Sequence, residues 1–254
     1  MTKRYDLAIL AIVKNEEMVI DEWIEHHIWQ GVQHFYIIDN NSTDATVKLL
    51  DKWISKGIVT LYFYPNKFEQ VISYNKVFQE KAKRECKWLI VCDCDEFIYN
   101  KHRSKSVLDA LNKFTQITDI AGVFLFWKMF SSSGLENQPL GKIRESFIHR
   151  YAIVHTEFDK FHFKQIVNCD NVNTLIIHHH NYSKGSLATL PELACNHYCT
   201  MSREYWRDVK MTRGAADNPL HENIRQMDEF DKKLKEATFI DHELRNLVNT
   251  ARIL

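Results

Sequence analysis

Asp93, Asp95 and Glu96 set three carboxylates within four residues, directly after the apolar run Trp88–Cys92. Carboxylates packed this closely repel one another unless a cation or a proton intervenes. Residues i and i+2 of an extended chain project to one side. Asp93 and Asp95 can therefore share an octahedral Mg²⁺ or Mn²⁺ with phosphate oxygens and water, although a solvated acidic loop after a strand has the same composition. A second polar cluster, Asp39-Asn40-Asn41-Ser42-Thr43-Asp44, follows another apolar run. Its acceptors suit a base N–H or ribose hydroxyls, and equally ordinary turn and cap chemistry. At His197-Tyr198, followed by Lys210 and Arg213, a histidine is available to complete a metal shell and two cations to stabilise a departing diphosphate. Structural roles remain open for all three, since basic residues near a helix end also answer its dipole. His178-His179-His180 suggests zinc, but neighbouring strand residues face opposite ways and do not easily meet one ion.

The elements that must position these groups follow from hydrophobic periodicity. Leu7–Val13 predicts a strand buried on both faces. In Glu17–Gln30, Val19, Ile20, Trp23, Ile24, His27 and Ile28 recur at helical spacing and Gly31 closes the helix. His34–Ile38 predicts a strand, then a helix to Ser55 capped by Ser42 or Thr43; strand Val59–Tyr64, helix Glu69–Glu85 and strand Trp88–Cys92 follow. This alternation demands an α/β fold with a mainly parallel sheet, whose ligands sit outside the carboxyl ends of the strands. Beyond the acids the pattern changes. A short helix at Ser106–Phe114 and a strand at Gly122–Lys128 precede strand-like pieces at Phe147–Val154, Phe161–Val167 and Leu175–His179. Helices are predicted at Ser202–Thr212, Glu222–Lys235 and Asp241–Arg252. No repeat or linker interrupts the chain, so residues 1–254 read as one domain, with a nucleotide-binding half at 1–100 and a mixed half at 101–254.

Lys+Arg and Asp+Glu are both 33 and no basic stripe stands out, which argues against a nucleic-acid partner. The six cysteines have no zinc-framework spacing, and Cys92 and Cys94, at the presumed strand end, read as the reduced filler residues of a cytosolic protein. Leu7–Val13 is too short for a signal sequence or membrane span. A cytoplasmic protein without an integral membrane segment is the expectation.

An ordered set of segments resembles glycosyltransferases of the GT-A fold, most closely family 92 and related family 2 enzymes. Val13-Lys-Asn-Glu-Glu17 with Glu22-Trp-Ile-Glu-His26 and Gly31 is similar to that family's opening, and Phe35–Asp44 to its donor-base segment. Ser73-Tyr-Asn75 and Trp88–Phe97 resemble the stretch ending in a metal-binding Asp-x-Asp. Trp127-Lys-Met-Phe130-Ser-Ser-Ser-Gly134 resembles a serine-rich motif, and His197-Tyr198 with Ser202, Lys210 and Arg213 a closing segment. Two departures stand out: Ser131 replaces a glycine, and Met201 stands where a lysine is common.

The resemblance implies transfer of a sugar, with inversion, from a nucleotide sugar such as a UDP-sugar to a hydroxyl of a glycan or glycoconjugate. It implies base and ribose contacts from Asn15, Glu16, Asp39, Asn41 and Asn75, with Asp93 near the ribose or phosphates and Lys210 and Arg213 at the diphosphate. It also implies Mn²⁺ or Mg²⁺ on Asp95 and His197, and a cytosolic role in cell-surface polysaccharide or lipid-linked glycan assembly. Inversion requires one general base, for which Glu145, His178 and Glu192 are the candidates. Two alternatives remain. A nucleotidyltransferase shares the acidic site, but usually carries a glycine-rich phosphate loop, whereas Ile12–Glu17 contains no glycine. A non-catalytic nucleotide-sugar or carbohydrate-binding protein would use Trp127, Tyr182 and Trp206 as groove aromatics.

Overall fold

The computed structural model describes residues 2–114, 117, 119–152, 163–222 and 224–251. The chain opens with β1 (Tyr5–Val13), α1 (Ile20–Trp29), β2 (His34–Asp39), α2 (Thr46–Ser55) and β3 (Val59–Phe63). α3 (Gln70–Val77) runs through a π-helical stretch, Phe78–Ala82, into α4 (Lys83–Glu85) and β4 (Cys86–Val91). Alternate residues of β1 serve opposite faces of the sheet, as strand geometry requires. Leu7, Ile9 and Ala11 pack with Trp23 and Ile24 of α1, whereas Ala8 and Leu10 pack with Tyr74, Val77 and Phe78. Gly31 ends the first helical turnback at φ 91°, where an added Cβ would lie 2.6 Å from Leu108 Cβ.

The second half supplies β5 (Glu96–Asn100), α5 (Val107–Leu111), β6 (Ile120–Met129), α6 (Ile143–Ser146), β7 (His149–Arg150) and β8 (Phe163–Asn168). β9 (Val172–Thr174), β10 (Asn181–Tyr182), β11 (Ser186–Thr189) and β12 (Leu193–His197) follow. After α7 (Arg203–Tyr205), which continues as a π-helical Trp206–Lys210, come α8 (Met227–Glu236), β13 (Phe239–Ile240) and α9 (Glu243–Ala251). Among the described residues the main sheet has the order β3-β2-β1-β4-β8-β6-β12-β5, with β11 on β6. β3, β2, β1 and β4 are parallel. β8 is antiparallel to both β4 and β6, which returns β6 to the direction of β4; β12 follows β6, and β5 reverses. The α/β class with a mainly parallel sheet is therefore what the chain adopts.

Several expected elements differ. The expected strand Leu175–His179 is a turn, because Asn75 Oδ1 accepts the Leu175 N–H and His180 Nδ1 accepts the Ile176 N–H. Neither Ser42 nor Thr43 caps α2. Asp44 Oδ1 accepts from Thr46 N instead, while Ser42 Oγ accepts from Asn15 N. The strand expected at Phe147–Val154 is limited, in its described part, to His149–Arg150, and residues 153, 154, 161, 162, 223 and 252 of the expected elements lie outside the described residues. The helix expected from Glu222 starts at Met227. β5 and β12, absent from the periodicity reading, pair with each other from Leu193↔Asn100 to His197↔Glu96.

Candidate active site

The functional edge arises where parallel strands end together. β1 ends at Val13, β4 at Val91, β6 at Met129 and β12 at His197, and residues from all four strand ends line one cavity of about 450 Å³. The chain leaves β4, turns through Asp93, Cys94 and Asp95, and goes back down the sheet as β5. That reversal is pinned by Glu96 N donating to Asp93 O, by Asp93 N donating to Glu96 Oε2, and by Tyr198 N donating to Asp95 O. The carboxylates at the rim are thus held by backbone bonds on both sides.

The rim acids are met by cations brought from other elements. Lys164, near the start of the antiparallel β8, lands on the same edge; its Nζ lies 2.8 Å from Asp93 and 3.4 Å from Glu96, with its side chain 1% exposed. Asp95 Oδ2 accepts from Lys210, and Glu16 Oε1 from Arg213. Tyr205 Oη also donates to Glu16. Burial pushes the Glu16 carboxyl up, against the pull of Arg213 and Lys210. Burial also opposes the charge of both aspartates, but Lys164 holds Asp93 below the ordinary carboxylate range, and Lys210 with His197 holds Asp95 well below it. Glu96, fully buried with only a share of Lys164, is pushed up to about 7 by burial.

His197 Nε2 stands 3.5 Å from Asp95 Oδ2, under the Trp127 ring at a centroid distance of 4.5 Å. Two donors bound cis at about 2.1 Å on an octahedral ion lie about 3 Å apart, so this carboxylate and imidazole fit one divalent ion that takes its other ligands from phosphate and water. Lys210 holds the same Asp95 oxygen and would have to yield it. Among the described residues no group of three or more His, Cys, Asp or Glu could hold a metal ion.

Among the other residues singled out in the sequence, His178 lines the cavity, 5.4 Å edge-on from Trp127. Burial, then the Lys164 charge, lowers its pKa to about 4. Glu192 lies at the opposite edge. It precedes the first residue of β12, whose last residue is His197, and it pairs with Lys113; at about 3.3 Å per residue that is some 16 Å away. Glu145 sits on α6 and is not a lining residue. Asn75 ties the 175 turn through Leu175 and Val71, and Asn15 Oδ1 accepts from Thr43 N. Asp39 accepts from Ser42 N, whereas its neighbour Asn40 reaches the cavity wall. Asn41 is exposed at φ 65°. Trp127 and Trp206 line the cavity, but Tyr182 donates to Gln165 and does not. The departing residues have structural roles: Ser131 N donates to His149 O, and Met201, fully buried at φ 54°, takes a contact from Gln138.

Lys164, Tyr205 and Arg225 were not anticipated. The signal for Lys164 was a single lysine inside the apolar stretch Phe161–Val167, a place where a charge is almost never buried without a partner.

Comparison with known proteins places the chain among glycosyltransferases of family 92. A glycosyltransferase family 92 protein of Ricinus communis is 26% identical over 209 residues, covering 77% of this chain and 35% of its own length. One from Oryza sativa subsp. japonica is 25% identical over 236 residues, covering 89% of this chain and 39% of its own length. The chain thus spans about a third of the length of these curated relatives. Among solved structures, mannosyltransferase PcManGT from Pyrobaculum calidifontis, in complex with GDP-Man and Mn²⁺, aligns over 99% of this chain and 76% of its own at 13% identity and a TM-score of 0.49. S. aureus TarS 1-349 in complex with UDP aligns over 52% of this chain and 38% of its own at 16% identity and a TM-score of 0.41. The model of glycosyltransferase family 92 matches residues 11–245, and the chain belongs to that family.

Proposed function

We propose that the cavity binds a nucleotide sugar, with a UDP-sugar the first donor to test, and transfers the sugar with inversion to a hydroxyl of a glycan or glycoconjugate. The observation that carries this reading is the meeting of Asp95, His197, Lys210 and Arg213 at one cavity, with Lys210 reaching Asp95 across 115 residues of chain. Asp95 and His197 would hold Mn²⁺ or Mg²⁺, which when bound neutralises the diphosphate as negative charge develops on it. Lys210 and Arg213 face the same diphosphate and stabilise the leaving nucleotide electrostatically. Trp127, over His197, shields the reacting edge from water. Of the three proposed bases only His178 reaches the cavity. Its imidazole is uncharged above about pH 4, and its Nδ1 is buried without a hydrogen-bond partner among the described residues. The uncharged ring keeps a lone pair that can accept the proton of the acceptor hydroxyl.

Titration calorimetry with UDP and Mn²⁺, beside a donor-hydrolysis assay, tests the reading. Asp95→Ala should lower Mn²⁺-dependent nucleotide binding and hydrolysis by about 10²–10³-fold; full activity in that variant would falsify the assignment. His178→Asn should cut transfer by about 10²-fold or more while leaving UDP affinity within twofold. Unchanged transfer in that variant removes His178 as the base.

A further inference from the structure

Each carboxylate lining the cavity has a basic partner. Glu16 takes Arg213, Asp93 takes Lys164 and Asp95 takes Lys210. Asp217 lies 2.7 Å from His221 Nδ1, and Glu229 lies 3.4 Å from Lys233. The reverse does not hold. Arg225, between the 3₁₀ turn Pro219–His221 and α8, lines the same cavity half-buried, and among the described residues it makes no ion pair or hydrogen bond. A guanidinium carries five N–H donors in a fixed fork and stays charged at any ordinary pH. Burial, and then the nearby charge of Arg213, lowers the pKa of Arg225. A partly desolvated cation beside another cation is unfavourable within the chain alone, and it is suited to an external oxyanion.

We infer that Arg225 is an oxyanion-binding residue of this cavity and that it takes a phosphate of the nucleotide, a contact separate from those of Lys210 and Arg213. The inference rests on the nucleotide-sugar reading of the site. Lys210 and Arg213, by contrast, are each held by a carboxylate of the rim. Arg225 has no carboxylate to leave, so it captures the anion before the rim pairs exchange.

Calorimetry in the presence of Mn²⁺ separates the possibilities, with UDP, GDP, uridine and inorganic pyrophosphate titrated into the wild-type protein, Arg225→Gln and Arg225→Lys. Arg225→Gln should weaken whichever nucleoside diphosphate the wild type binds by about tenfold or more, as loss of a charged hydrogen bond predicts, and pyrophosphate in parallel. Uridine affinity and unfolding temperature should not move, and Arg225→Lys should recover part of the loss. Nucleoside diphosphate affinity within twofold of wild type in Arg225→Gln overturns the inference and leaves the nucleotide reading standing. An equal loss of uridine affinity also overturns it, since that marks a distorted pocket. A wild-type protein that binds neither UDP nor GDP overturns the nucleotide reading and the inference with it.

Discussion

Asp93 and Asp95 are two residues apart and face the same cavity, yet their cations belong to different kinds of structure. Lys164 comes from β8, in register with β4 and β6 on both sides, and its side chain is 1% exposed. Lys210 comes from the last turn of a short helical segment, which also brings Tyr205 and Arg213 to Glu16. A counterion fixed in a sheet offsets the cost of burying an acid and has nowhere to go. One on a short segment outside the sheet, buried as it is, is free of the ladder and can exchange its carboxylate for another anion. The Asp93 side of the rim is therefore built into the sheet, and on the proposed reading the Asp95 side is where ligand charge would be traded.

The strongest way to break this contrast is to remove each cation in turn. Lys164→Met leaves Asp93 and Glu96 without their cation inside the sheet. Removing one partner of a buried pair costs about 3 kcal/mol or more, so denaturant titration should show a large loss of stability that added UDP and Mn²⁺ do not selectively restore. Lys210→Met should cost less in the same assay. Equal losses in the two variants would show that both pairs are structural.

The same contrast explains what the sequence made legible. β1, β2 and β4 are buried on both faces, so their residues form continuous apolar runs, and the acids after Val91 marked the cavity edge without any knowledge of pairing. The later strands carry no such signal. β5 begins with Glu96 and contains Tyr99 and Asn100, all buried, because its polar groups are met by Lys164, Glu243 and Ser106. Such partners are visible only once the chain has folded. Leu175–His179 shows the converse. Its apolar residues resemble a strand, but Asn75 and His180 turn its backbone, and Asn75, which resemblance assigned to the donor, lies outside the cavity. Local pattern specified the parallel layer, while long-range polar pairing, from Lys164 above all, specified the edge.

Lys210 gives a sharper and smaller test. A divalent ion arriving without nucleotide has to displace the ammonium from Asp95 Oδ2 and leave it buried without an anion. A diphosphate arriving with the ion gives that ammonium a new partner. Metal and nucleotide should thus strengthen each other's binding by the same factor in the wild type, as linkage requires. In Lys210→Met, Mn²⁺ alone should bind about tenfold more tightly, read by calorimetry or Mn²⁺ electron paramagnetic resonance, and the coupling factor should shrink. Weaker binding of Mn²⁺ alone in the variant would show that Lys210 is not the group exchanged.

The smallest expected effect is a slope rather than a loss, and it isolates the fixed side. One ammonium, Lys164, serves two acids there, and Asp93 stays ionised while Glu96 is pushed up to about 7. A carboxyl ordinarily near 4.5 in the unfolded chain then holds its proton longer when folded, so between about pH 4.5 and 7 the native state binds more protons than the unfolded one. Stability from this group is complete below pH 4.5 and is lost as the pH rises through about 7. Glu96→Gln keeps the shape and removes the titration. Its unfolding free energy, measured by denaturant titration from pH 4.5 to 8, should therefore gain on the wild type as pH rises and run parallel to it above about 7. A wild type whose stability instead climbs relative to Glu96→Gln over that window would show that Lys164 keeps Glu96 ionised in the folded chain.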